Sequence, residues 1–105
     1  MATSTPWGPS QSAHKIAPGI TTYTTAGHGG FKVSAGRLAK MHPALVQMGF
    51  GGLGTKGWFE EDASWCAVVL AFPDCFSDEV NEAARKTAEN YYSALYAEFK
   101  GATNV

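Results

Sequence analysis

Short β-prone runs fill the chain before Ser34 and helical spacing fills it afterwards, and this segregation limits the folds open to it more than any other feature. Ala13 to Ile16 and the β-branched, aromatic run Ile20 to Thr25 flank the turn residues Pro18-Gly19, so together they read as a hairpin. Phe31-Lys32-Val33 follows as a third short strand, with Phe31 and Val33 on one face. Strands and helices do not alternate, so nothing provides the crossovers that parallel strands need. The expected class is α+β: a small antiparallel sheet of about three short strands packed against helices.

In the second part, Ser34 can cap a helix that starts at Ala35, and His42-Pro43 interrupts it. Pro43 suits the first position of another short helix, Ala44 to Met48. Five glycines between Gly49 and Gly57 predict a loop. Trp58 to Phe72 carries Trp58, Phe59, Trp65, Cys66, Val69 and Phe72, a stripe that predicts a helix on the sheet. Ser77 caps the clearest element, a C-terminal helix over 78–100, with Val80, Ala83, Ala84, Thr87, Tyr91, Leu95 and Phe99 at three-four spacing. Residues 1–12 read as a loop or tail anchored by Trp7. At 105 residues, one core and a single domain over 1–105 are expected.

With 8 Lys+Arg against 9 Asp+Glu, the formal net charge is -1, which provides neither a basic field for DNA nor the acidic field of a nucleic-acid mimic. The first residues have no basic and apolar leader pattern, and no run approaches the roughly 18 apolar residues of a membrane span, so a cytoplasmic location is expected. Cys66 and Cys75 lack the spacing of a metal or redox motif and read as free thiols.

The sharpest motif is Thr24-Thr25-Ala26-Gly27-His28-Gly29-Gly30-Phe31-Lys32. Glycines around an imidazole can let backbone N–H groups converge on an anion, with Thr24 and Thr25 adding hydroxyls and Lys32 a positive charge. A plain hairpin turn explains the same glycines equally well. Gly49-Phe50-Gly51-Gly52-Leu53-Gly54 matches G-x-G-x-x-G in letters, but a dinucleotide fingerprint needs a strand before it and a parallel sheet around it. Glu60-Glu61-Asp62 reads first as acidic residues at a helix start, and otherwise as a partner for His28. Trp7 sits in a polar Pro/Gly-rich segment where helical packing gives it no reason to be, so it is a pocket or interface candidate. The expected ligand-binding set is Trp7, Thr24, Thr25, Gly27, His28, Gly29, Gly30, Phe31, Lys32, Trp58 and Glu61, with no catalytic set, metal or cofactor.

Thr5-Pro6-Trp7-Gly8-Pro9-Ser10-Gln11, the Thr25 to Ser34 stretch and Trp58-Phe59-Glu60-Glu61-Asp62 together resemble a small domain family of unknown function that occurs in bacteriophage and plasmid proteins. The Gly49 to Gly57 segment departs from that pattern as a local expansion. The resemblance implies a mobile-element setting in a bacterial host and little chemistry. A short protein in that setting suggests counter-defence exercised by binding. The first expectation is sequestration of a small nucleotide-like immune signal, with aromatic faces on the base. A protein-binding inhibitor of a host defence component, docking through Trp7 and the glycine-rich loop, is the alternative. A small hydrolase using His28 with Glu60, Glu61 or Asp62 is the third. Abundant aromatic residues and few charges also point to a homo-oligomer packed through the 78–100 helix.

Overall fold

The sheet is built from the hairpin that the Pro18-Gly19 turn dictates. In the computed structural model, which describes residues 3–103, β3 (Ser12–Ala17) and β4 (Ile20–Thr24) pair antiparallel around that turn. β5 (Gly29–Val33) adds to β4, and β6 (Trp58–Glu60) adds to β5, so the sheet has four strands in the order β3-β4-β5-β6, all antiparallel. The α+β class and the antiparallel sheet packed against helices are as the sequence predicts, with a fourth strand beyond the three expected.

That fourth strand, β6 (Trp58–Glu60), corrects the reading of Trp58 to Phe72 as one helix. Phe59 lies opposite Phe31 and is fully buried, whereas Trp58 and Glu60 on either side of it are only half-buried. A turn follows, and the helix α3 (Trp65–Ala71) starts seven residues later than predicted, at Trp65 instead of Trp58. The N-terminal segment is also more ordered in form than a tail. β1 (Ser4–Thr5) and β2 (Gly8–Pro9) make a two-residue-per-strand hairpin, closed by Thr5 Oγ1 donating to the Gly8 carbonyl at 2.7 Å. Met1 and Ala2 lie outside the described residues.

Two helices start at the serine caps that the sequence places, and a third at Pro43. The Ser34 hydroxyl accepts from Arg37 N above α1 (Ala35–Leu38), and Ser77 accepts from Val80 N above α4 (Asp78–Tyr91). Above α2 (Pro43–Gln47), His42 takes the capping role through Nδ1, which accepts from Ala44 N at 3.0 Å. The glycine-rich segment is wound into 3₁₀ turns over Phe50–Lys56 rather than left as an open loop, with Gly51 and Gly52 at φ 63° and 80°. It follows the helix α2 and precedes β6, so the strand-to-helix setting of a dinucleotide fingerprint is missing.

The predicted 78–100 helix is two helices. α4 ends at Tyr91, Tyr92 takes the non-helical φ -138° and ψ 41°, and α5 (Ser93–Thr103) follows. A straight helix over 78–100 would extend about 35 Å at ~1.5 Å per residue. The break lets α4 pack on α3 while α5 reaches α2. The buried stripe shifts with it: Ala84, Ala88 and Tyr96 are buried, Ala83 is exposed, and Tyr91 is 70% exposed. The core lies between the helices and one face of the sheet, with Ile20, Val33 and Phe59 from the strands meeting Leu45, Met48, Val68 and Val69 from the helices. Burying each such side chain is worth about 1.5–3 kcal/mol. Among the described residues no helix is long and apolar enough to cross a membrane.

Candidate functional site

Strand register divides the predicted site residues between two faces. Ile20, Thr22 and Thr24 lie opposite Val33, Phe31 and Gly29, and this face meets the helices. Tyr23 lies opposite Gly30, and Thr21 and Trp58 lie opposite Lys32, on the face turned away from them.

The hairpin β1-β2 folds onto that outer face and delivers Trp7 to it. The Trp7 ring meets Trp58 edge-on, with centroids 5.5 Å apart and planes at 86°. Tyr23 lies against the other side of the cluster, 5.8 Å from Trp58. Lys32 Nζ sits 5.5 Å from the Trp58 centroid and donates to the Val33 carbonyl at 3.3 Å. The Lys32 charge is therefore held at the far end of β5 from the Gly29 end, and it does not join His28.

The His28 turn is closed on itself. Thr25 N and Thr25 Oγ1 both donate to the His28 carbonyl at 2.7 Å, and His28 N donates back to Thr25 Oγ1 at 3.1 Å. Gly29 and Gly30 belong to β5, where they pair with Thr24 and Tyr23. The His28 N–H takes no part in an amide cradle, because the Thr25 hydroxyl accepts it. Packing explains two of the glycines. A Cβ on Gly29 would lie 2.7 Å from the Tyr23 carbonyl oxygen, and one on Gly30 would run into the Phe59 carbonyl oxygen, whereas Gly27 has open space around it.

Two concavities flank this region. The smaller, about 230 Å³, is lined by Thr22, Tyr23, Thr24, Gly30, Phe31, Glu61 and Trp65. The larger, about 470 Å³, is lined by Trp7, His28, Glu60, Asp62, Ala63 and Tyr92. Of the predicted set, Trp7 and His28 line the larger one, while Thr24, Gly30, Phe31 and Glu61 line the smaller. Trp58 and Lys32 line neither: Trp58 meets the Trp7 ring edge-on, and Lys32 lies against Trp58. Thr25 is buried and closes the turn, Gly27 is at its exposed tip, and Gly29 takes a bond from Glu61 N to its carbonyl at 2.9 Å.

The two carboxylates of the larger pocket differ. Glu60 accepts from the backbone N–H groups of Asp62, Ala63 and Ser64, the last at 2.8 Å, so it pins the turn that leads into α3. The buried Ser64 hydroxyl in turn accepts from Glu60 N at 2.7 Å. The Asp62 carboxylate is exposed and makes no such bonds to other described residues. Burial, reinforced by the nearby Glu60 charge, pushes the Tyr92 phenol up from 10.0 to about 12, so it remains a neutral hydroxyl at ordinary pH. Among the described residues, no three His, Cys, Asp or Glu side chains are placed to hold a metal ion.

The model of a domain family of unknown function, DUF7007, matches residues 1–104, which include every residue of both concavities. The chain belongs to this family. No curated protein and no solved structure matched it.

Sequence reasoning left Tyr92, Asp62, Glu60 and Ala63 out of the binding set. Tyr92 was hidden inside a stretch read as one continuous helix. A usable signal was the run Asn90-Tyr91-Tyr92-Ser93, where two polar residues bracket the adjacent tyrosines.

Proposed function

We propose that this domain binds a small nucleotide-like molecule stoichiometrically and releases it unchanged, acting as a sponge for an immune signal in a counter-defence setting in the bacterial cytoplasm. The observation that carries this reading is the concavity of about 470 Å³ in which Trp7 and Tyr92 supply aromatic surface and His28 and Asp62 supply polar groups. Pockets for small organic ligands run from about 300 to 1,000 Å³ and combine apolar walls with a few polar groups, which favours this site over its neighbour of about 230 Å³. Binding without turnover is favoured because both Glu60 oxygens already accept backbone N–H groups, which removes one of the bases a hydrolase would use.

Calorimetry of the purified protein against cyclic dinucleotides and ADP-ribose-derived nucleotides tests it. The expected result is saturable binding that Trp7→Ala weakens by at least about tenfold, with the ligand recovered at its original mass. Absence of binding across the panel removes the reading, and a changed ligand mass replaces it with the hydrolase.

A protein-binding inhibitor is a second reading, and it takes its support from Tyr91, a large ring left 70% exposed at the end of α4. Capture of one host protein that is lost with Tyr91→Ser and kept with Trp7→Ala would favour it.

A further inference from the structure

The larger concavity has a sign. Its lining residues are Trp7, His28, Glu60, Asp62, Ala63 and Tyr92, which include two carboxylates and neither lysine nor arginine. Lys32, the cation nearest in sequence to the His28 turn, is engaged with the Val33 carbonyl and the Trp58 ring. The His28 amide is bonded within its own turn, to the Thr25 hydroxyl, so it is not turned to the pocket as a substitute for a cation. A phosphate placed in this pocket would face two carboxylates, with no lysine or arginine in the lining to offset them. A carboxylate can only accept, so the ligand's buried polar edge must donate.

We infer that the pocket takes its nucleotide-like ligand base first, with the donor edge of a guanine-type base on Asp62 and the phosphates left in solvent. This rests on the reading of the pocket as a nucleotide-like site and adds orientation and base class to it. Asp62 is the group for this role because Glu60 is already saturated by three backbone N–H groups, whereas the Asp62 carboxylate is exposed and carries no such bonds. A guanine edge presents an imino N–H and an amino N–H side by side, which matches the two oxygens of one carboxylate. Adenine presents a single amino group and an acceptor beside it, which the carboxylate repels. The indole of Trp7 is braced edge-on by Trp58, so it offers a fixed aromatic surface to a flat base.

Titration calorimetry with guanosine, adenosine, guanosine monophosphate and inorganic phosphate tests the inference on wild type and Asp62→Asn. Guanosine is expected to bind at least about tenfold more tightly than adenosine, and no more weakly than its monophosphate. Asp62→Asn is expected to remove that preference, and because the side chain is exposed the variant should keep its fold. Inorganic phosphate should not compete. A monophosphate about tenfold tighter than guanosine, competition by phosphate, or an unchanged preference in Asp62→Asn would each overturn the orientation while leaving nucleotide binding in place. Binding by none of the four, nor by the cyclic and ADP-ribose-derived panel, removes both readings together.

Discussion

The outermost ring carbon of Trp7, Cη2, lies 2.7 Å from where a Cβ on Gly30 would stand, so the absence of a side chain at residue 30 is what admits the indole to the outer face of the sheet. The same missing Cβ would run into the Phe59 carbonyl oxygen on the neighbouring strand. Gly30 thus links strand pairing to the placement of a pocket wall.

Gly30→Ala should lower stability by about 1–3 kcal/mol, as overpacking does elsewhere, and should shift the tryptophan fluorescence as Trp7 is displaced. Combining it with Trp7→Ala should recover only part of that loss, because the clash with the Phe59 carbonyl remains. Urea titrations of the two single variants and the double variant measure the coupling, which is expected to be non-zero because the two sites touch.

Gly57 and Gly51 separate strain from packing. Both have positive φ, 86° and 63°, but a Cβ on Gly57 would lie 2.5 Å from the Val33 carbonyl oxygen, whereas Gly51 has nothing within 4 Å. Gly51→Ala should cost about 1–2 kcal/mol from backbone strain alone. Gly57→Ala should cost more, because β5 must also give way. Thermal melts of the two variants test the order, and equal losses would contradict it.

Ser64 is fully buried and its hydroxyl is the acceptor for Glu60 N. Ser64→Ala should cost about 1–3 kcal/mol by leaving that N–H unsatisfied. Glu60→Ala releases the backbone N–H groups of residues 62–64 and withdraws a charge that holds the Tyr92 phenol up. The phenol should then titrate at lower pH in the variant, as read by ultraviolet absorbance.

Alkaline unfolding should begin at a cysteine. Burial is the main reason that the Cys66 thiol is pushed from 9.0 up to about 12, with the Glu60 charge adding to it, and Tyr92 is pushed from 10.0 to about 12. Below pH 9.0 both groups are protonated folded or unfolded, so their full contribution is present. As pH rises above 9.0 the unfolded chain loses the Cys66 proton first and, from 10.0, the Tyr92 proton, so stability falls towards pH 12. Urea midpoints across that window should decline, and Cys66→Ala should remove the earlier part of the decline. The buried Cys66 should also react with thiol reagents more slowly than the half-buried Cys75.

The hairpin around Pro18-Gly19, the third strand and three helix starts were legible because each depends on residues within a few positions of one another. Ser34 and Ser77 cap locally, and Pro43 opens a helix wherever it is placed at the first position. Trp58–Glu60 was missed because three residues are too few to display alternation, and their neighbours in Trp58 to Phe72 completed a convincing helical stripe. The break at Tyr92 was missed because apolar spacing continues through it, and only the need for α5 to reach α2 turns the chain there.

The sequence by itself determined the class of fold, the antiparallel hairpin and the presence of Trp7 and His28 as residues in want of a reason. Tertiary structure alone decided that these two share a concavity with Asp62 and Tyr92, that Lys32 does not line it, and that the His28 amide is taken by the Thr25 hydroxyl. The division is physical. Turns and caps are fixed by short-range sterics and hydrogen bonds, whereas a pocket wall drawn from residues 7, 28, 62 and 92 exists only once segments distant in sequence have packed together.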